Sequence, residues 1–184
     1  MTDWPLTIRP AAAEPLFYPD PETLRSPFSG AGQKIVSPAT LHGMRVVLPG
    51  MTEANARVAL NWIAAGRRGE VRFPWFNLNA RLAGNFVVTG VSGRTLTLDV
   101  SVADPRGFTA VGEGVQVVTG GRSYLHIIDA VTATTITLAS IPRANYLGGF
   151  ATLGAPLIQG EILSPAPVLD RVVTGFSFTI MELR

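Results

Sequence analysis

His42 and His126 are the two imidazoles of this chain, and imidazole is the group that most readily moves a proton near neutral pH. Both fall in stretches that read as strands, with no carboxylate at metal-ligand spacing, so structural roles are expected for each. The carboxylates Asp99, Asp104, Glu113 and Asp129 are scattered singly, without a D-x-D-x-D-G calcium loop or an H-E-x-x-H helix. Two carboxyl groups far apart in sequence can still form a glycosidase pair, because only their separation in space matters. Gly30-Ala-Gly-Gln-Lys34 has the glycines of a phosphate loop, yet no Gly-Lys-Ser/Thr follows and no helix begins there, so it reads as a turn before a strand. Gly-x-Ser-x-Gly is absent, and Gly120-Gly121 reads as a hairpin turn. With no cysteine there is neither a disulfide framework nor a thiolate metal site. The expectation is a protein that is not an enzyme and has no cofactor and no metal.

Composition points to contact surfaces instead. Hydrophobic residues make up 47% and charged residues 15%, against about 25% charged in an average soluble domain. Apolar surface beyond the chain's own core is best buried in an oligomer or against a partner. No stretch approaches the roughly 18 apolar residues of a membrane-spanning helix, and Met1-Thr-Asp-Trp-Pro5 lacks the basic and apolar regions of a secretory signal. A soluble chain made in a cytoplasm is expected. The net charge of +2 comes from fourteen arginines and Lys34, spread without the basic stripe of a nucleic-acid surface. Their densest run, Arg67-Arg-Gly-Glu-Val-Arg72, reads as a solvated helix end or as a source of bidentate ion pairs between subunits. Phe73, Trp75 and Phe76 read as packing under a helix or at a subunit contact, with a binding cleft as the alternative.

The elements that would position these residues fall into three parts. Residues 1–30 carry Pro5, Pro10, Pro15, Pro19, Pro21 and Pro27, which exclude a helix or a central strand. With Trp4, Leu6, Ile8, Leu16, Phe17 and Tyr18 they predict an apolar extended arm lying in a groove of its own domain or of a neighbour. Residues 31–79 and 155–184 predict a discontinuous host domain. Strands are expected over 33–36 and 42–48, then a helix over about 52–65, capped by Thr52 and stopped by Gly66. Ala56, Leu60 and Ile63 give it an apolar face, with Val58 and Trp62 on an adjoining stripe. A strand over 71–76 follows, placed at an edge or bulge by Pro74. Residues 154–167 read as a return connection. Phe176, Phe178, Ile180 and Glu182 alternate along a last strand that should pair with strands before Ala80.

Residues 80–154 form the third part, an inserted small β-barrel or sandwich. Within it Val88 to Leu98 aligns on Ile128 to Leu138 at an offset of forty residues, with identities at Val91/Val131, Thr95/Thr135, Thr97/Thr137 and Leu98/Leu138. Each copy fits a hairpin. Duplication and convergent hairpin patterning both account for the match.

The order of pieces resembles a known family. A Trp4-Pro-Leu start, Ser26-Pro-Phe-Ser-Gly-Ala-Gly-Gln-Lys-Ile-Val36, Leu48-Pro-Gly-Met-Thr-Glu-Ala-Asn-Ala-Arg57, a helix with Trp62, Gly66-Arg-Arg-Gly-Glu-Val-Arg-Phe73 and a Phe-rich last strand are similar to siphophage minor tail proteins. The resemblance is to the distal tail (Dit-like) family, over roughly 4–79 and 168–184. It implies a tail-tube-like β-sandwich or barrel flanked by a helix, in a mainly β chain. It implies a virion protein at the tail tip, assembled in the host cytoplasm as a homo-oligomeric ring, commonly a hexamer. Its partners would be the tail tube protein and the baseplate hub protein, with DNA only in transit through the channel and no membrane. Trp4, Phe17, Tyr18, Arg67, Arg68, Phe73, Trp75 and Phe76 are the candidate interface residues. Two other readings stand beside this one: a carbohydrate-binding module, for which the insertion offers Phe86, Phe108, Tyr124, Tyr146 and Phe150 but no Trp, and another tail protein such as a tube or terminator component.

Overall fold

Among the described residues the chain is mainly β with one α-helix. The structure is a computed structural model that describes residues 2–5, 7–25, 32–75, 82–101, 103–163 and 177–182, with backbone alone for 18–25 and 32–40. Its strands are β1 (Thr2–Asp3), β2 (Ala12–Arg25), β3 (Gly32–Val47), β4 (Val71–Pro74), β5 (Gly84–Ser92) and β6 (Thr95–Leu98). They continue with β7 (Gly114–Thr119), β8 (Arg122–Val131), β9 (Thr135–Leu138), β10 (Phe150–Leu153), β11 (Leu157–Ile162) and β12 (Ser177–Glu182). Helix α1 (Glu53–Gly66) joins β3 to β4. The strands form a six-stranded mixed sheet, in the order β1-β4-β11-β12-β3-β2, and a closed barrel, β10-β5-β6-β9-β8-β7.

Strand alternation builds the sheet's inner face. Val71 and Phe73 of β4, Ile158 and Ile162 of β11, Phe178 and Ile180 of β12, and Met44 and Val46 of β3 are all buried in one cluster with Trp4, Ile8, Trp62 and Ile63. The last strand pairs with β3, Ile180 opposite Met44. The Pro-rich start, expected as an extended arm lying on its own domain or on a neighbour, puts Trp4 and Ile8 in the core, and residues 12–25 are an edge strand, a position that tolerates proline. One expectation is corrected. The stretch 154–167, expected as a connection, contains β11, which is paired on both sides. The strand character of 42–48 also extends back to Gly32.

Helix α1 begins where expected, with the Thr52 hydroxyl accepting the Asn55 N–H at 3.4 Å. Its buried residues are Ala56, Ala59, Trp62, Ile63 and Gly66, whereas Leu60 is half-buried and Val58 exposed. Gly66 is the last helical residue rather than a left-handed stop. Its lack of a side chain serves packing, since a Cβ there would sit 2.6 Å from Ile162 Cδ1.

The barrel has an internal two-fold relation. Residue x of β5–β6 corresponds to x+40 of β8–β9, and Leu96 pairs with Ile136, its own counterpart. The two hairpins share a register shift at the same place, between Val88 and Gly90 and between Ile128 and Ala130. Their hydrogen bonds also correspond: Leu98 N to Thr134 O and Leu138 N to Arg94 O, Asp99 N to Val87 O and Ala139 N to Ile127 O. The relation takes in the third strand of each half, because Phe150 opposes Val87 as Gly114 opposes Ile127. Four identities in sequence left duplication and convergence open; a bulge and two hydrogen bonds repeated in register favour duplication. Gly120 and Gly121, both at positive φ, turn β7 into β8.

Candidate functional site

Barrel and sheet meet where β8 lies against β11, and the join is apolar at one level and polar at the next. Leu125 of β8 enters the sheet's core, with Ile127 packed against it. Trp75, just past β4, lies on Gly114 of β7, where a Cβ would be 2.6 Å from the indole. The Gln116 side chain of β7 bridges the two bodies: its Oε1 accepts the Leu157 N–H at 3.1 Å and its Nε2 donates to Ser123 Oγ at 2.7 Å.

The polar level is a buried network centred on Glu182. Strand alternation carries this carboxylate to the inner face after Phe178 and Ile180, and its residue is 3% exposed. Glu182 Oε1 accepts the Leu125 N–H at 2.7 Å, and Oε2 takes Arg143 at 2.6 Å and His42 Nδ1 at 3.4 Å. Arg143, in the loop between β9 and β10, also donates to Leu125 O at 3.4 Å and lies 5.5 Å from the Tyr124 ring centroid. Next to it His126 is fully buried, its Nδ1 2.9 Å from Ser140 Oγ and its Nε2 2.6 Å from Tyr146 OH. The Tyr146 hydroxyl also accepts the Arg143 N–H at 3.2 Å.

Electrostatics follow from that setting. Burial, with Arg143 and His42 nearby, drives His126 down to about 3, so it is neutral at physiological pH. Burial pushes the Tyr146 hydroxyl up to about 12. Each potential proton carrier therefore has its partners inside the fold. The network fixes how the barrel sits on the sheet: Glu182 and His42 come from the sheet, Arg143, His126 and Tyr146 from the barrel. Among the described residues no group of three or more His, Cys, Asp or Glu is placed to hold a metal ion, and no helix is long and apolar enough to cross a membrane.

The eight interface candidates separate. Trp4 and Phe73 are core residues, 4% and 0% exposed, because Trp4 packs edge-on to Trp62 and both aromatics face Phe178. Trp75 is buried in the internal junction, its ring 6.2 Å from that of His42. Phe17 on β2 is 52% exposed, and Arg67 and Arg68 are exposed at the end of α1, beside an open depression floored by Leu60, Ile63 and Ala64. Tyr18 is described only as a backbone position of β2, and Phe76 lies outside the described residues. Of the five aromatics in the insertion, Phe86 and Tyr146 are buried, Phe108 and Tyr124 partly so, and Phe150 stands 54% exposed.

The hairpin of β2 and β3 is the other prominent surface. The two strands pair from Ala12/Val47 to Arg25/Gly32, whereas β12 covers β3 only over Gly43–Val47. Among the described residues, Gly32 to Val36 and Thr40 pair with β2 alone, a ribbon about 25 Å long with a register irregularity between Pro19 and Pro21. Its outer edge is short of donors. His42 directs its N–H to Glu182 Oε2, away from β2, so its opposite number Phe17 likewise faces away from β3. By alternation Pro15 and Pro19 share that orientation, placing two missing N–H groups on the open edge.

Compared with protein-family models the chain matches none, and compared with curated proteins it matches none in sequence.

Proposed function

We propose that this chain is a structural virion protein of a long-tailed phage, forming a ring at the distal end of the tail between the tail tube and the baseplate hub. The reading starts from the family resemblance over 4–79 and 168–184 and takes a tail-tube-like role for the sheet and helix. The observation that carries it is the hairpin that runs past its own sheet. An isolated two-stranded ribbon is marginal in water, and one extending about 25 Å beyond its neighbours gains stability by lying on another surface. The low charge of the chain and exposed Phe17 at the base of this ribbon fit a contact with a neighbouring subunit.

Sedimentation and negative-stain imaging over a wide concentration range test the reading. A closed ring, with six copies expected, supports it; a monomer at every concentration, with no binding to a tail tube or hub protein, overturns it. Antibody labelling of intact virions tests position: label at the tail tip is expected, and label along the tube or at the head-proximal end favours a tube or terminator component instead.

A further inference from the structure

The barrel's two-fold relation gives it two equivalent outer faces, and the sheet covers one of them. The covered row runs Ile127 and Gly114, with the exposed Ala139 at its end, linked through the Ala139 N–H to Ile127 O and the Ile127/Gly114 pair. Its counterpart runs Asp99, Val87, Phe150 and on to Val118, linked through the Asp99 N–H to Val87 O and the pairs Val87/Phe150 and Phe150/Val118. On the covered row Ile127 packs into the sheet's core and Gly114 leaves a gap that Trp75 fills. On the uncovered row Val87 stands where Ile127 would be and remains apolar, 37% exposed, while Phe150 replaces the glycine and is 54% exposed. Knob and gap are thus exchanged: a partner for this face must supply the hollow.

The chain carries a fitting hollow elsewhere. One flank of α1, where the helix borders the core, has an open depression lined by the half-buried Leu60 and Ala64 over the buried Ile63 and rimmed by Arg67 and Arg68. The charges also match, since the uncovered row ends in the exposed Asp99 and the hollow is bordered by two guanidinium groups. We propose that the Val87–Phe150–Val118 row of one copy docks on α1 of the next, seating Phe150 against Leu60 and Ala64 with Asp99 facing Arg67 and Arg68. Because the two surfaces are different parts of the chain, the contact is head-to-tail and propagates around a ring. The inference deepens the ring reading and rests on it.

The absence of cysteine makes the test direct. Two single-cysteine proteins, Val87→Cys and Arg68→Cys, are mixed under mild oxidation, with Glu161→Cys on the sheet's other face replacing Arg68→Cys as control. A Val87–Arg68 cross-link at least about tenfold above control is expected, as is an association weakened tenfold or more by Phe150→Asp at unchanged circular dichroism. A ring that forms while the cross-link stays at control level overturns this contact and leaves the ring reading standing. So does a ring whose assembly is indifferent to Phe150→Asp; a wild-type chain that never associates overturns both.

Discussion

Glu182 Oε2, on the last strand of the sheet, and the Arg143 guanidinium, in a loop of the barrel, meet at 2.6 Å with side chains 2% and 11% exposed. An ion pair so far out of water holds its place only with further partners, which here are the Leu125 N–H and the His42 ring. The same atoms that satisfy the charge therefore set the barrel's orientation. Glu182→Ala should lower stability by about 3–5 kcal/mol, the cost of stranding a buried partner. The double change Glu182→Leu/Arg143→Met should cost less than Glu182→Ala alone, since it removes both charges and also Arg143 Nε, which has no hydrogen-bond partner. Urea unfolding of the three proteins measures the difference. A double variant as weak as the single would mean that packing around the pair matters more than its charge.

His126 gives a second, pH-dependent expectation. In the unfolded chain it titrates near 6.5, and in the fold burial lowers it to about 3. Between those values the unfolded chain binds a proton that the folded chain refuses, so stability is complete above pH 6.5 and is lost as the pH falls toward 3. The slope is about 1.4 kcal/mol per pH unit, or about 2 kcal/mol between pH 6.5 and 5. His126→Asn should start less stable and show a shallower decline over that interval. Parallel pH profiles for the two proteins would dismiss the idea.

How much of this was legible in sequence depends on whether a residue's role was local. The Thr52 cap, the alternation of 177–182 and the hairpin glycines Gly120 and Gly121 act on near neighbours, and each lies where the pattern placed it. The duplicated hairpin showed as an offset of forty, although the pairing of Leu96 with Ile136 had no signal in the chain. The His42–Glu182 contact spans 140 residues. Its one trace was an acid continuing the apolar alternation of the last strand. Trp4 and Phe73 look like contact residues in sequence because nothing local distinguishes an aromatic that meets a partner from one that meets Trp62. β11 was missed because Gly160 and the surrounding Gly and Pro imitate a loop.

That glycine is a requirement of packing. A Cβ at residue 160 would lie 1.8 Å from Met181 O, a backbone atom of the strand paired with β11. Gly160→Ala should force β11 and β12 apart and destabilise the sheet by about 3 kcal/mol or more. The same change at Gly69, where a Cβ meets nothing within 4 Å, should be close to neutral. Thermal unfolding of the pair is the measurement, and equal melting temperatures would refute the assigned clash.

The edge of β2 supports one more expectation. Phe17 faces away from β3 because His42 sends its N–H to Glu182, and Pro15 and Pro19 share the Phe17 orientation. Two N–H groups are therefore missing where a foreign strand would need them, a known means of blocking edge-to-edge growth. Pro15→Thr/Pro19→Thr would restore both donors on an exposed strand without removing any bond to β3. Light scattering should show concentration-dependent association with added β signal, at nearly unchanged urea midpoint for the dilute protein. If the double variant stays as soluble as the parent, these prolines are not what blocks strand addition at the outer edge of β2.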